Sequence, residues 1–267
     1  MGQVLVITSG KGGVGKTTVT ANLGVSFANL GRRVCLLDAD IGLKNLDVLL
    51  GLENRIIYTI MDVISDRVSG IDALVRHKTN RNLFLLPASQ VATKEMVHEE
   101  DMKKVIGQLR NEFDFVIVDS PAGIESGFRN AVVGADTAIV VTNPEYPSVS
   151  DADRVVGLLE KSGKSEDHIL LIINRYRDLM SQKKGMLSIE DILKTLALQL
   201  VGIIPDSEEI IVASNRGIPA TMEGSKEIHQ IFGNIARRIM GHKIPIKEDY
   251  RLSRPTFWTL FRAMFRR

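Results

Sequence analysis

Residues Gly10 to Thr17 read GKGGVGKT and follow, two residues on, the apolar run Val4-Leu5-Val6-Ile7. A chain that leaves a buried strand, turns through closely spaced glycines and resumes with helix formers must fold locally as strand, loop and helix. In that arrangement the backbone N–H groups of the turn and the positive end of the helix converge on one point, which suits the phosphates of a nucleotide. Gly12, Gly13 and Gly15 let the backbone approach without a Cβ in the way. The expected cradle is Gly10, Lys11, Gly12, Gly13, Val14, Gly15, Lys16, Thr17 and Thr18. Lys16 is placed to reach the β/γ oxygens, and the Thr17 hydroxyl to complete a Mg2+ shell.

The remainder of the chain has the rhythm that such a loop requires. Short apolar runs predict strands at Val4-Ile7, Val34-Leu37, Leu83-Leu86, Phe115-Val118, Ala138-Val141, Ile169-Ile173 and Leu200-Ile204. Helical spacing predicts helices at about Thr17-Leu30, Glu95-Asn111, Ser148-Lys161, Ile189-Leu196 and Ser225-Met240. Strands apolar on both faces and alternating with helices imply a doubly wound, mostly parallel α/β sheet with helices on both sides. A length of 267 residues suits one such domain, expected over residues 1–240, followed by a linker at 241–255 and a terminal helix at 256–267.

Composition narrows the classes. Hydrophobic residues at 44% and charged ones at 25% describe a globular chain. The single cysteine, Cys35, lies in an apolar run and can build neither a disulfide nor a metal cluster within one chain, so a reducing compartment is expected. The first apolar run is too short for a signal-peptide core, Val6 occupies the place where a myristoylation signal needs Ser or Thr, and no segment approaches the roughly 18 apolar residues of a membrane span. His77, His98, His168, His229 and His242 show no paired ligand spacing and read as surface or packing residues.

Two strand ends carry acids toward the loop. Asp38 and Asp40 follow the second predicted strand, and Asp119 ends the Phe115-Val118 run before Pro121 and Gly123. In an open α/β sheet, ligands bind beyond the carboxyl ends of the strands, which places these residues at the same edge as the loop. Asp119 suits Mg2+, held directly or through water, and Pro121 and Gly123 suit a loop that responds to a γ-phosphate. Taken singly, each aspartate is equally a turn or capping residue.

The run K-G-G-x-G-K-[ST], with its extra Lys11, resembles the deviant phosphate loop of the MinD/ParA/nitrogenase-iron-protein class of ATPases. By position alone Lys11 is as readily an exposed loop lysine. In that class the extra lysine crosses a dimer interface to the partner's nucleotide and acts as an arginine finger does. Asp38-Ala39-Asp40-Ile41-Gly42-Leu43-Lys44-Asn45-Leu46-Asp47 is similar to the first switch of the MinD family, and Asp119-Ser120-Pro121-Ala122-Gly123-Ile124-Glu125 to its second. The resemblance implies that Asp40 positions the attacking water, Asp38 supports the Mg2+ site, and Asn45 and Gly123 respond to the γ-phosphate. It further implies that Asn174, Arg175, Pro205 and Asp206 flank adenine, with ATP and Mg2+ as the cofactors.

The end of the chain separates relatives within that class. Five arginines and no acid fall in residues 251–267, leaving 29 basic against 32 acidic residues elsewhere. On a helix, Phe257, Trp258, Leu260, Phe261, Met264 and Phe265 share one face and Arg262, Arg266 and Arg267 lie opposite. Such a segment suits an anionic lipid surface, the alternative being a helix docked on the body. A MinD-type ATPase is therefore expected: an ATP-dependent homodimer, peripheral on the inner face of the cell membrane or of a plastid envelope, recruiting a MinC-type division inhibitor and released by a MinE-type activator or other topological factor. The segment from Asn143-Pro144-Glu145 through Asp151-Ala152-Asp153-Arg154 resembles the family's partner-binding region. A ParA-like DNA-partition ATPase is the rival, and the acidic body disfavours it, so no nucleic-acid partner is expected. An iron-protein-like redox ATPase needs two cysteines per chain.

Overall fold

The computed structural model describes residues 1–43, 45–177 and 185–246; the terminal helix expected at 256–267, with Phe257, Trp258, Leu260, Phe261, Met264 and Phe265, lies outside the described residues. The strands are β1 (Gln3–Thr8), β2 (Val34–Asp38), β3 (Val75–Arg76), β4 (Leu83–Leu86), β5 (Phe115–Asp119), β6 (Thr137–Thr142), β7 (Ile169–Tyr176) and β8 (Gln199–Pro205). They form one sheet in the order β3-β4-β2-β5-β1-β6-β7-β8, parallel throughout except for the short antiparallel edge strand β3. The helices are α1 (Lys16–Asn29), α2 (Leu46–Leu49), α3 (Ile60–Ile64), α4 (Glu99–Arg110), α5 (Ser126–Val132), α6 (Tyr146–Lys161), α7 (Ile189–Leu196), α8 (Glu208–Asn215), α9 (Ala220–Glu223) and α10 (Lys226–Ile239).

All seven expected strands and all five expected helices form, with shifted ends. The helix expected from Glu95 begins at Glu99, after a separate 3-10 turn at Lys94–Met96, because the His98 N–H is bound by the Asp101 carboxylate and caps the helix there. The helix expected from Ser148 starts at Tyr146, since Pro147 is tolerated in its first turn. Unforeseen are β3, α2, α3, α5, α8 and α9, which are too short to show a period or, for α8, have no fully buried face.

Successive residues of each strand feed opposite cores. Val4 and Val6 of β1 pack with Val105, Phe128 and Val155 beneath α3 to α7. Leu5 and Ile7 pack with Leu23, Phe27 and Phe232 beneath α1 and α10. Both faces are thus sealed, as a parallel sheet demands. β1 lies between β5 and β6, so the strand order reverses on either side of it and its carboxyl end opens onto the crevice where ligands bind in such sheets. Among the described residues no helix is long and apolar enough to cross a membrane.

The chain leaving α10 is tied down at the far end of the sheet. The buried guanidinium of Arg238 donates to the carbonyls of Val201 (3.0 Å), Ile244 (2.8 Å) and Pro245 (2.7 Å), and Ile246 packs against the core on the other face. These charge-assisted bonds pin residues 241–246 around the end of β8. Arg238→Met should therefore cost about 2–3 kcal/mol, the loss expected for hydrogen bonds to a charged donor, and be read as a lower thermal midpoint.

Candidate nucleotide site

The loop of Ser9 to Gly15 joins β1 to α1, and Gly15 caps the helix in the left-handed region (φ 97°). No side chain caps this helix and no acid lies in its first turn, so its positive end is left for an external anion. The geometry that makes Gly15 obligatory includes a neighbour: a Cβ there would lie 2.4 Å from Nδ2 of Asn174, which donates to the Val14 carbonyl at 2.7 Å. Gly10 is required for a different reason than phosphate approach, because its Cβ would fall 2.2 Å from the Asp151 carbonyl of α6.

The two loop lysines are treated oppositely. Lys16 is buried, with Nζ 3.0 Å from Ser9 Oγ, and that hydroxyl donates in turn to the Lys11 carbonyl at 2.8 Å. The side chain of Lys11 is exposed. Ser9 thus links the backbone of one lysine to the ammonium of the other.

Below the loop the sheet register sets Asp38 beside Asp119 on neighbouring strands, and Asp119 beside Ile7. Both carboxylates are buried on the α1 side. Burial raises the Asp38 pKa well above the carboxylate range, the charge of Asp119 adds to this, and the Asp40 N–H bond to its Oδ1 (3.0 Å) opposes it. Burial likewise pushes Asp119 up to about 6, against the pull of the Thr17 hydroxyl, the Lys16 ammonium and the Thr20 hydroxyl, which donates to Oδ1 at 3.0 Å. Oδ2 of Asp119 is buried without a well-aligned hydrogen bond. Two apposed carboxyls, a threonine hydroxyl and an orphaned oxygen are the hard-oxygen surroundings that a Mg2+ ion with its waters fits.

The other expected residues divide into two groups. Asp40 is half-buried after β2, Asn45 is exposed at the start of α2, and Gly123 is left-handed (φ 91°) in the loop after β5. Thr18, Asn174, Arg175, Pro205 and Asp206 line one cleft of about 220 Å3 between α1, β7, β8 and α8. Asn174 and Arg175 lie inside β7 rather than beyond it, Arg175 exposed with φ 55° at an irregularity in the β7–β8 pairing. Asp206 is engaged by Arg177. The apolar cleft walls Ile210, Ile211 and Phe232, and also Ser9 and Thr20, join the expected residues only in the folded chain. Thr20 had a signal, standing one helical turn after Lys16 and Thr17 on the sheet-facing side of α1.

Residues 5–220 match the CobQ/CobB/MinD/ParA nucleotide binding domain. The chain is 58% identical over 250 residues to the septum site-determining protein MinD of Thermotoga maritima, covering 94% of this chain and 92% of that protein. It belongs to the MinD family. The fold of the MinC:MinD cell division protein complex of Aquifex aeolicus superposes with a TM-score of 0.84 at 46% identity, over 91% of this chain and 98% of that one. The septum site-determining protein MinD of Pyrococcus horikoshii complexed with Mg-ADP gives 0.80 at 30% identity, over 91% and 100%. The chain is accordingly a P-loop ATPase of the MinD family that uses ATP and Mg2+.

The paired carboxyls make a stability prediction with a definite sign. The folded-state pKa of Asp119 lies above its unfolded value near 3.9, so the metal-free protein gains stability as pH falls from about 7 toward 4 and loses it as pH rises through about 6. Asp119→Asn should raise the melting temperature of metal-free, nucleotide-free protein at pH 7.5 by about 2–6 °C. The same substitution should flatten the pH dependence and weaken Mg2+-dependent ATP binding, as calorimetry would read.

Proposed function

We propose that this ATPase positions the division septum as a nucleotide-gated dimer that carries a MinC-type inhibitor to the inner face of the membrane and is released by a MinE-type activator. The observation that carries the reading is the opposite burial of the two loop lysines. Lys16 is held against Ser9 within its own loop, whereas Lys11 is exposed and available to a second chain.

In this reading Lys16 and the loop amides hold the β/γ oxygens, while Thr17, Asp38 and Asp119 surround the metal. Bound Mg2+ supplies charge neutralisation on the phosphates. Asp40, tied through its N–H to Asp38, orients the attacking water. Asn45 and Gly123 belong to the loops that respond to the γ-phosphate. Adenine occupies the cleft of Thr18, Asn174, Arg175, Pro205 and Asp206, against the apolar wall of α8. Lys11 of each chain stabilises the transition state on the other. The Aquifex aeolicus complex, by its name an assembly of MinC with MinD, supports a MinC-type partner, for which residues 143–154 are the proposed surface.

Binding and turnover separate by substitution. Asp40→Ala should retain Mg-ATP affinity and form a long-lived dimer while hydrolysing poorly. Lys11→Ala should bind Mg-ATP but fail to dimerise. Light scattering with ATP and phosphate release decide; a Lys11→Ala protein that dimerises and hydrolyses normally removes the crossing lysine.

Membrane attachment is assigned to residues 256–267. As a helix this segment would span about 18 Å, enough to lie in the interface but not to cross the bilayer. Each arginine contributes on the order of 1 kcal/mol at an anionic surface, and inserting the apolar face must also offset the cost of ordering the segment. One tail is marginal; two on a dimer gain avidity of roughly 10² to 10⁴. Truncation after Ser253 should abolish ATP-dependent sedimentation with anionic liposomes and leave nucleotide binding intact. Sedimentation that persists after truncation, or is equal in ADP, sinks the proposal, and a DNA arm tests the partition rival.

A further inference from the structure

A second cavity, of about 390 Å3, lies away from the nucleotide cleft on the opposite face of the sheet, between the start of α4, α5 and the end of α6. Its walls are apolar: Phe128 and Val132 are buried core residues of α5, Val133 and Leu158 are half-buried, and Ile124 is 47% exposed at the mouth. Its charged lining is one-sided. Arg129, Lys161 and Lys164 stand against a single acid, Glu99. Lys164 is only half-exposed; its ammonium donates to the Ala135 carbonyl, and burial lowers its pKa. The acid near it, Asp136, is already taken by both oxygens in a bidentate bond from Arg110. An apolar cavity of this size with a few converging cations has the make-up of a small-ligand site. An uncharged apolar ligand would leave the Lys164 charge poorly compensated, whereas an anionic head would compensate it.

We propose that this cavity binds an amphiphilic anion, an aliphatic chain carrying one carboxylate or phosphate, with the chain against Phe128 and Leu158 and the head among Arg129, Lys161 and Lys164. The basic rim disfavours the chain's own arginine-rich tail as the occupant. Ile124 follows Gly123 directly, and Phe128 lies in the helix that this loop enters. Occupancy therefore restrains the loop between Asp119 and α5 and is coupled to nucleotide binding, a coupling that rests on the reading of this loop as γ-phosphate-responsive.

The test is calorimetric titration of the full-length chain with decanoate below its micellar concentration, with decanol as the uncharged control. Decanoate should bind saturably at one site, and decanol at least about tenfold more weakly. Arg129→Gln with Lys161→Gln changes two exposed side chains and should weaken decanoate by about tenfold, and Leu158→Trp should fill the cavity and abolish binding. Mg-ATP binding in the absence of decanoate should be unchanged in these variants, which verifies their fold. Decanol binding as well as decanoate, or decanoate binding undiminished in both variants, overturns the site. Saturating decanoate should shift the Mg-ATP affinity by at least about threefold, with the reciprocal shift in decanoate affinity. Equal Mg-ATP affinity with and without decanoate overturns the coupling alone. Because decanoate binding is read directly, its failure is distinguishable from a failure of the ATPase mechanism.

Discussion

Two buried carboxyls at the carboxyl ends of neighbouring strands create a charge problem that the rest of the site answers. Asp38 and Asp119 are held side by side by the β2–β5 register, with no freedom to separate without breaking the central ladder. Water cannot solvate them: burial raises the pKa of both, and the charge of Asp119 raises that of Asp38 further. The Lys16 ammonium, the Thr17 and Thr20 hydroxyls and the Asp40 amide each offset part of this, and a divalent cation is the group that resolves it. The metal preference is thus a consequence of strand pairing, and the loop above it is positioned by the same ladder through Ile7.

The phosphate loop is held from three sides. Asn174 of β7 grips the Val14 carbonyl, the backbone of α6 abuts Gly10, and Ser9 connects Lys16 to the Lys11 carbonyl. The Asn174 and α6 contacts both come from the β6-β7-β8 half of the sheet, on one side of β1. A loop with left-handed glycines and no side-chain cap needs such support to present its amides in one arrangement before a ligand arrives. Asn22 extends the support outward: its Oδ1 accepts from the Thr221 N–H at 2.9 Å, so α1 is joined to α9.

Both ends of the body also look away from the site. Arg238 fixes the departing chain at the far end of β8, and the basic, apolar-walled cavity sits beneath the loop that follows β5. Either place can feel the nucleotide only through the rigid sheet or through the short loops at its carboxyl edge, since the sealed core between them deforms little.

The sequence alone determined the strand–loop–helix at the start, the parallel sheet and the edge at which the acids gather, because glycine spacing and two-sided apolar runs are local signals with one physical solution. It also exposed the family resemblance and the amphipathic end. Tertiary structure decided what spacing cannot encode. The register that sets Asp38 against Asp119 joins residues 81 positions apart, and the donors that relieve them, Thr20 among them, become neighbours only when α1 packs on the sheet. The placement of Asn174 inside β7, its hold on the phosphate loop and the contact that makes Gly10 obligatory belong to the same class. So do α2, α5 and α9, too short to show a period, which draw their stability from surfaces that distant parts of the chain provide.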